Sequence, residues 1–70
     1  MRLVFETKQT KHADEVREWI EKNLNVSCSV IVHPNNTIIT LSRKLSSSEL
    51  EKLVKWIEEE MDGKLLEEKE

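Results

Sequence analysis

Seventy residues carrying 14 acids against 11 bases, net charge −3, hold one domain at most, and a chain this short buries only ~60% of the surface its unfolded form exposes. One glycine, one proline, 37% apolar and 36% charged residues exclude a linker or a collagenous tract and describe an ordered, soluble, helix-rich domain. The single cysteine, Cys28, excludes an internal disulfide; with no apolar run longer than three residues and no signal-peptide layout at the N-terminus, neither a membrane span nor secretion is expected, and a cytoplasmic location is.

Leu3, Val4 and Phe5 form a short strand whose period of two puts Leu3 and Phe5 on one face and Val4 on the other. Thr10 is the expected N-cap of a helix over roughly 11–23, with Asp14 and Glu15 in its first turns. Ala13, Val16, Ile20 and Leu24 recur at spacings of three and four and give that helix one apolar stripe. Two β-forming runs follow, residues 26–33 and 37–43, on either side of Pro34, Asn35 and Asn36. They read as a hairpin turning on Asn35 and Asn36, because asparagine tolerates the positive φ that hairpin turns need. That turn sets Val32 opposite Ile39 and Val30 opposite Leu41, with Val26, Cys28, Val30, Val32, Ile39 and Leu41 on one face and Ile31 and Ile38 on the other.

The last helix has the best-marked start. Ser46 and Glu49 are spaced as a capping box, and Leu45 and Leu50 occupy the hydrophobic-staple positions around it. Leu50, Leu53, Val54, Ile57 and Met61 form its stripe, and Gly63 stands where a glycine ends a helix. Residues 64–70 read as a frayed acidic tail outside a domain of residues 1–63, although Leu65 and Leu66 offer it a way to pack back. The fold class expected is α+β, a single β-α-β-β-α domain: a three-stranded, mainly antiparallel sheet with its third strand central and both helices on one face. No internal repeat of useful length stands out, although the pair Trp-Ile recurs as Trp19–Ile20 and Trp56–Ile57, on the same flank of each stripe.

Catalysis finds little support. His12 and His33 lie at a helix start and a strand end with no nucleophile beside either, and Cys28 at an inward position reads as a small hydrophobe. Three scattered Cys and His residues do not supply a structural zinc site, consecutive Glu58, Glu59 and Glu60 point in different directions, and one glycine cannot build a phosphate-cradling loop. No enzyme activity, metal or cofactor is expected. Nucleic-acid binding fares little better. The element order is close to that of KH-type RNA binders, but the GXXG clamp is missing, and the only strand aromatic, Phe5, faces inward. Arg2, Lys8, Lys11, Arg17, Arg43 and Lys44 offer a modest basic patch, while the acidic excess sits on the last helix and tail. Direct, specific nucleic-acid binding is not expected.

Partner binding is better supported. Helices on one side of a small sheet leave Val4, Ile31 and Ile38 on the open side, ringed by Ser29, Thr40 and Ser42, an apolar group with a polar rim as at protein interfaces. Edge strands offer docking by strand addition. Trp19 and Trp56, off the centre of their stripes, read either as interface anchors or as closures between helix and sheet. The partner-binding set is therefore Val4, Ile31, Ile38, Thr40, Trp19 and Trp56. A 70-residue core without disulfide or metal gains little beyond ~3–5 kcal/mol, so dimerisation, with another protein or with itself, is the economical expectation.

From the hairpin through the last helix the chain resembles the small dimerising subunit of the KEOPS complex, which makes threonylcarbamoyl-adenosine on tRNA in archaea and eukaryotes. The residues that carry the resemblance are Asn35 and Asn36 in the turn, residues 38–41 in the next strand, Ser47, Ser48 and Leu50 opening the helix, and Trp56 with Ile57. The family commonly has arginine just after that helix-opening leucine; here Glu51 stands there. The resemblance, with this departure, implies an archaeal paralogue, an accessory fifth subunit that heterodimerises with the dimerising subunit and blocks its homodimer. The alternative is a small acidic inhibitor of a nucleic-acid enzyme, built on the acidic last helix. A designed mini-protein is a third reading, for which the clean cap and staple speak.

Overall fold

The computed structural model describes residues 1–70. The elements run β1 (Arg2–Glu6), α1 (Ala13–Leu24), β2 (Cys28–Val32), β3 (Asn36–Leu41), α2 (Ser47–Met61) and β4 (Lys64–Lys69). The sheet order is β2-β3-β1-β4 and every neighbouring pair is antiparallel. As expected, β3 lies between β1 and β2 and both helices cover one face. The sheet has four strands, however, not three. Two β-α-β units, β1-α1-β2 and β3-α2-β4, interleave so that each has a strand of the other between its own, the split arrangement of ferredoxin-like domains.

The fourth strand corrects the reading of residues 64–70 as a tail outside the domain. Lys64–Lys69 pair along β1, and Leu65, opposite Phe5, packs against the core. The cause is tertiary: β1 carries fully buried Leu3 and Phe5, and without a neighbour on that side its backbone would be an open edge beside the core. A bulge between Val4 and Phe5 leaves Leu66 as an extra residue opposite β1.

The hairpin turns one residue earlier than the sequence implies, which shifts the pairing of β3 against β2 by two residues. Val30 faces Ile39, Val32 faces Thr37, and His33 N–H donates to the Asn36 carbonyl at 2.8 Å, so Pro34 and Asn35 form the loop. Neither Asn35 nor Asn36 has positive φ; Pro34, with φ locked near −65°, suits the first loop position. Because the shift is two residues and not one, every side chain keeps its predicted face.

Twelve apolar residues form the core: Leu3, Phe5, Ile39 and Leu41 from the sheet, Val16, Ile20 and Leu24 from α1, Leu53, Ile57 and Met61 from α2, with Val26 and Leu45. Thr7 and Thr37 are buried with them and satisfy each other, Oγ1 to Oγ1 at 3.1 Å. At α2 the predicted capping box is present: Ser46 Oγ accepts from Glu49 N–H, and the Glu49 carboxylate accepts from Ser46 N–H. The α1 start differs from expectation. Its N-cap is His12, not Thr10, and makes no side-chain cap bond; just upstream, Lys8 and Gln9 N–H both donate to the Met61 carbonyl, each at 3.1 Å, which ties that stretch to the end of α2.

Both helices end on a left-handed residue, Asn25 (φ 51°) and Asp62 (φ 48°). Gly63 is therefore not the positive-φ terminator the sequence suggested. It is glycine for space: a Cβ there would lie 2.5 Å from Ile57 Cγ2 and 3.1 Å from Thr7 Cγ2. The helix ends also extend the Trp-Ile recurrence. Residues 19–26 read WIEKNLNV and residues 56–63 read WIEEEMDG; in each, tryptophan is half-buried, isoleucine fully buried, Leu24 or Met61 buried, and the next residue left-handed. The repeat marks corresponding places in the two interleaved units.

Candidate functional site

The sheet side opposite the helices carries one apolar row. Ile31 on β2 pairs with Ile38 on β3, Ile38 with Val4 on β1, and Val4 with the bulged stretch of β4 that contains Leu66 and Glu67. Ile31 is 53% exposed and Leu66 57% exposed, the two most exposed large hydrophobic residues in the chain, and Val4 and Ile38 between them are half-buried. The row is thus uncovered across all four strands. Polar pairs border it: Ser29 with Thr40 and Arg2 with Thr40 and Lys69 on one side, Glu6 with Asn36 and Lys64 on the other. Glu67 sits within the row, 3.0 Å from Lys69; the hydrogen bond from Lys69, with Arg2 nearby, holds its carboxyl below the usual range.

Of the residues singled out from sequence, Val4, Ile31, Ile38 and Thr40 fall together on this face, and Leu66 joins them. Sequence reading missed Leu66 because its strand was missed; the Leu65–Leu66 pair was the signal. Trp19 and Trp56 lie elsewhere. They face each other between the helices, on the far side of the sheet, stacked with centroids 4.5 Å apart and planes inclined by 14°. The stack between the helices is an arrangement beside the two the sequence offers, interface anchor and helix-to-sheet closure. The stack joins α1 to α2 and adds about 0.5–1.5 kcal/mol beyond its buried area.

Two polar clasps hold the helix layer at its ends. The Arg43 guanidinium donates to the Leu24 carbonyl at 2.9 Å, at the end of α1, and to both carboxylate oxygens of Glu49 at 2.8 and 2.9 Å, in the first turn of α2. Hydrogen bonds from Arg43 and then from Ser46 N–H pull the Glu49 carboxyl down to about 2. At the opposite end Lys11 pairs with Glu60 at 3.3 Å and with Glu15 at 3.5 Å. With Arg17 on Asp14 and Lys44 on Glu70, four of the six bases in the supposed nucleic-acid patch are neutralised by acidic neighbours.

His12 and His33, separated in sequence, line one shallow, open depression with Thr10, Lys11 and Pro34. No three His, Cys, Asp or Glu side chains are grouped to hold a metal ion. Burial first, then Glu21, push the Cys28 thiol above its ordinary value, which disfavours the thiolate that nucleophilic chemistry requires. No helix is long and apolar enough to cross a membrane.

The chain matches no protein-family model, no curated protein and no solved structure. The ferredoxin-like topology is shared by proteins of unrelated function and does not name an activity; the uncovered row is the feature that the fold itself does not require.

Proposed function

We propose that this chain is a non-catalytic interaction subunit that receives another polypeptide over its uncovered sheet face. The observation that carries the reading is the row Ile31–Ile38–Val4–Leu66, apolar side chains reaching all four strands on the side without helices, with Glu67 set among them on β4. A single exposed leucine needs no explanation; a contiguous band with a polar border is the composition of a docking surface. Partner, pathway and compartment follow from the resemblance in the hairpin and last helix: an archaeal accessory subunit of KEOPS, cytoplasmic, pairing with the paralogous dimerising subunit during tRNA threonylcarbamoyl-adenosine formation and blocking its homodimer. Glu51, in place of the family's arginine, supports an accessory role without a tRNA contact from α2.

The reading as an acidic inhibitor of a nucleic-acid enzyme has less behind it. Glu49, Glu60, Glu67 and Glu70, four of the nine acids beyond residue 44, are already engaged by this chain's own bases. Light scattering on an equimolar mixture with the dimerising subunit tests the proposal. One species at the summed mass is expected, insensitive to salt because the contact is apolar, and Ile38→Glu abolishes it while far-UV circular dichroism stays unchanged. Two unshifted species overturn the KEOPS assignment, and an Ile38→Glu chain that unfolds overturns the assignment of that side chain to a docking face.

A further inference from the structure

The two edges of the sheet are built in opposite ways. β4 (Lys64–Lys69) carries Lys64, Glu67, Glu68 and Lys69 and a bulge, the devices that stop an edge from pairing with another chain. β2 (Cys28–Val32) has the sequence CSVIV: no charge, no proline within it, no bulge. Its free hydrogen-bonding groups can be assigned. Ser42 N–H donates to the Ser27 carbonyl at 2.9 Å and His33 N–H to the Asn36 carbonyl at 2.8 Å, so the odd-numbered residues of this strand are the ones bonded to β3. Antiparallel pairs alternate; the N–H and C=O groups of Cys28, Val30 and Val32 therefore point away from β3 to the open edge, and no turn, loop or side-chain bond uses them.

We infer that two copies of this chain pair antiparallel through their β2 edges, with Val30 on the two-fold axis. The open groups are symmetric about that residue. A second copy sets Val30 against its own equivalent and Cys28 against Val32, each pair exchanging both N–H···O bonds, so all three open residues are satisfied with none left over. Charge agrees: two copies of CSVIV meet without a like-charge contact, whereas two copies of β4 would face each other with four charged side chains apiece. On the uncovered side, Ser29 comes opposite Ile31 of the second copy and the two Ile31 side chains become diagonal neighbours, ~7–8 Å apart between Cα atoms. The apolar row then continues from one sheet into the other.

The size of the contact sets its strength. A five-residue strand is about 17 Å long, and an edge that deep in two layers hides well under the ~800 Å² per partner of a standard interface. The dimer belongs to the weak, concentration-dependent class. It uses the strand edge and not the sheet face, so it stands independently of what docks on the face.

Sedimentation equilibrium from about 10 µM to about 1 mM tests it. The weight-average mass is expected to rise from 8.3 kDa towards twice that value, with amide exchange at Cys28, Val30 and Val32 slowing as concentration rises and exchange on β4 unchanged. Val30→Pro removes the central open donor without touching the β3 ladder and weakens association by about tenfold or more. Ile31→Lys, at an exposed position, gives the same loss through like charge and serves if the proline variant does not fold. A wild-type chain that stays at 8.3 kDa throughout, or a dimer that survives Ile31→Lys with those three amides unprotected, overturns the inference. Loss of the dimer on Val4→Glu with Ile31→Lys still dimeric assigns the contact to the face and overturns it as well. The mixing experiment with the dimerising subunit uses the wild-type chain, so its failure is read separately from the failure of this one.

Discussion

Gly63→Ala puts one methyl group into a place already filled by its neighbours. The new Cβ meets Ile57 Cγ2 at 2.5 Å, Thr7 Cγ2 at 3.1 Å and the Glu6 carbonyl oxygen at 3.3 Å. None of the three is the end of a flexible chain. Ile57 is β-branched in a helix, with χ1 confined to one rotamer, and is fully buried; Thr7 is buried and bonded to Thr37; the third is backbone. The start of β4 must therefore move away from α2, at the 1–3 kcal/mol typical of an overfilled core. Gly63 has negative φ, so alanine also restricts the unfolded chain and returns about 0.4–1 kcal/mol. The net expectation is a loss of about 1–2 kcal/mol, from a total of roughly 4–10 kcal/mol for 70 residues, which lowers Tm by roughly 5–15 °C in a calorimetric scan. Ile57→Leu removes the offending γ-methyl at small cost, so the double variant is expected to recover about 1 kcal/mol relative to additivity. An alanine variant as stable as the wild type, or a cycle with no coupling, refutes the close approach and with it the docking of β4 against α2.

The left-handed residue ending α2 gives a change of opposite sign: Asp62→Gly relieves the αL cost and removes an acid from the negative end of the helix, for a gain of about 1 kcal/mol read as a rise in Tm. Trp19→Ala removes one half of a half-buried stack and is expected to cost about 2 kcal/mol in urea unfolding; Trp56→Ala costs the same, and the double variant much less than the sum. For pH, Glu49 titrates near 2 in the folded chain and near 4.3 when unfolded. Its contribution is complete above about pH 5 and is lost as pH falls towards 2; Glu67 and Glu70 shift in the same direction. The urea midpoint should therefore fall below pH 5, and Glu49→Gln should flatten that fall while lowering the midpoint at pH 7.

The positions where sequence spoke clearly are those where a local rule and the tertiary structure agree. Ser46, Glu49, Leu45 and Leu50 announce α2 because cap, box and staple are all short-range devices, and the alternation through 28–32 and 37–41 fixed both faces even though the turn was misplaced. Where the structure departs, long-range bonds decide. Thr10 is a better intrinsic cap than His12, yet α1 starts only at Ala13, after a stretch that Lys8 and Gln9 tie to the end of α2 through the Met61 carbonyl. The strand at Lys64–Lys69 is made mostly of residues that strands disfavour, and its bulge breaks the period of two; what recruits it is the empty side of β1, which no window of local sequence contains. The uncovered row was legible in three of its four members for the same reason that the fourth was not.

The two halves of the chain show which features the fold needs and which it does not. Trp19 and Trp56, Ile20 and Ile57, Leu24 and Met61, Asn25 and Asp62 occupy matching places, and each pair serves the fold by joining the helices, filling the core or turning the chain. The halves diverge directly after those residues. One continues as Val26 into an uncharged strand, the other as Gly63 into a strand with four charges and a bulge. Both strands close the same sheet, so sheet formation does not account for the difference. An edge that must stay unpaired needs charge, and an edge that is to be paired must lack it. On the pairing inferred above, the asymmetry between β2 and β4 is a difference in what each edge is built to meet, water at the charged, bulged β4 and a second copy at the uncharged β2.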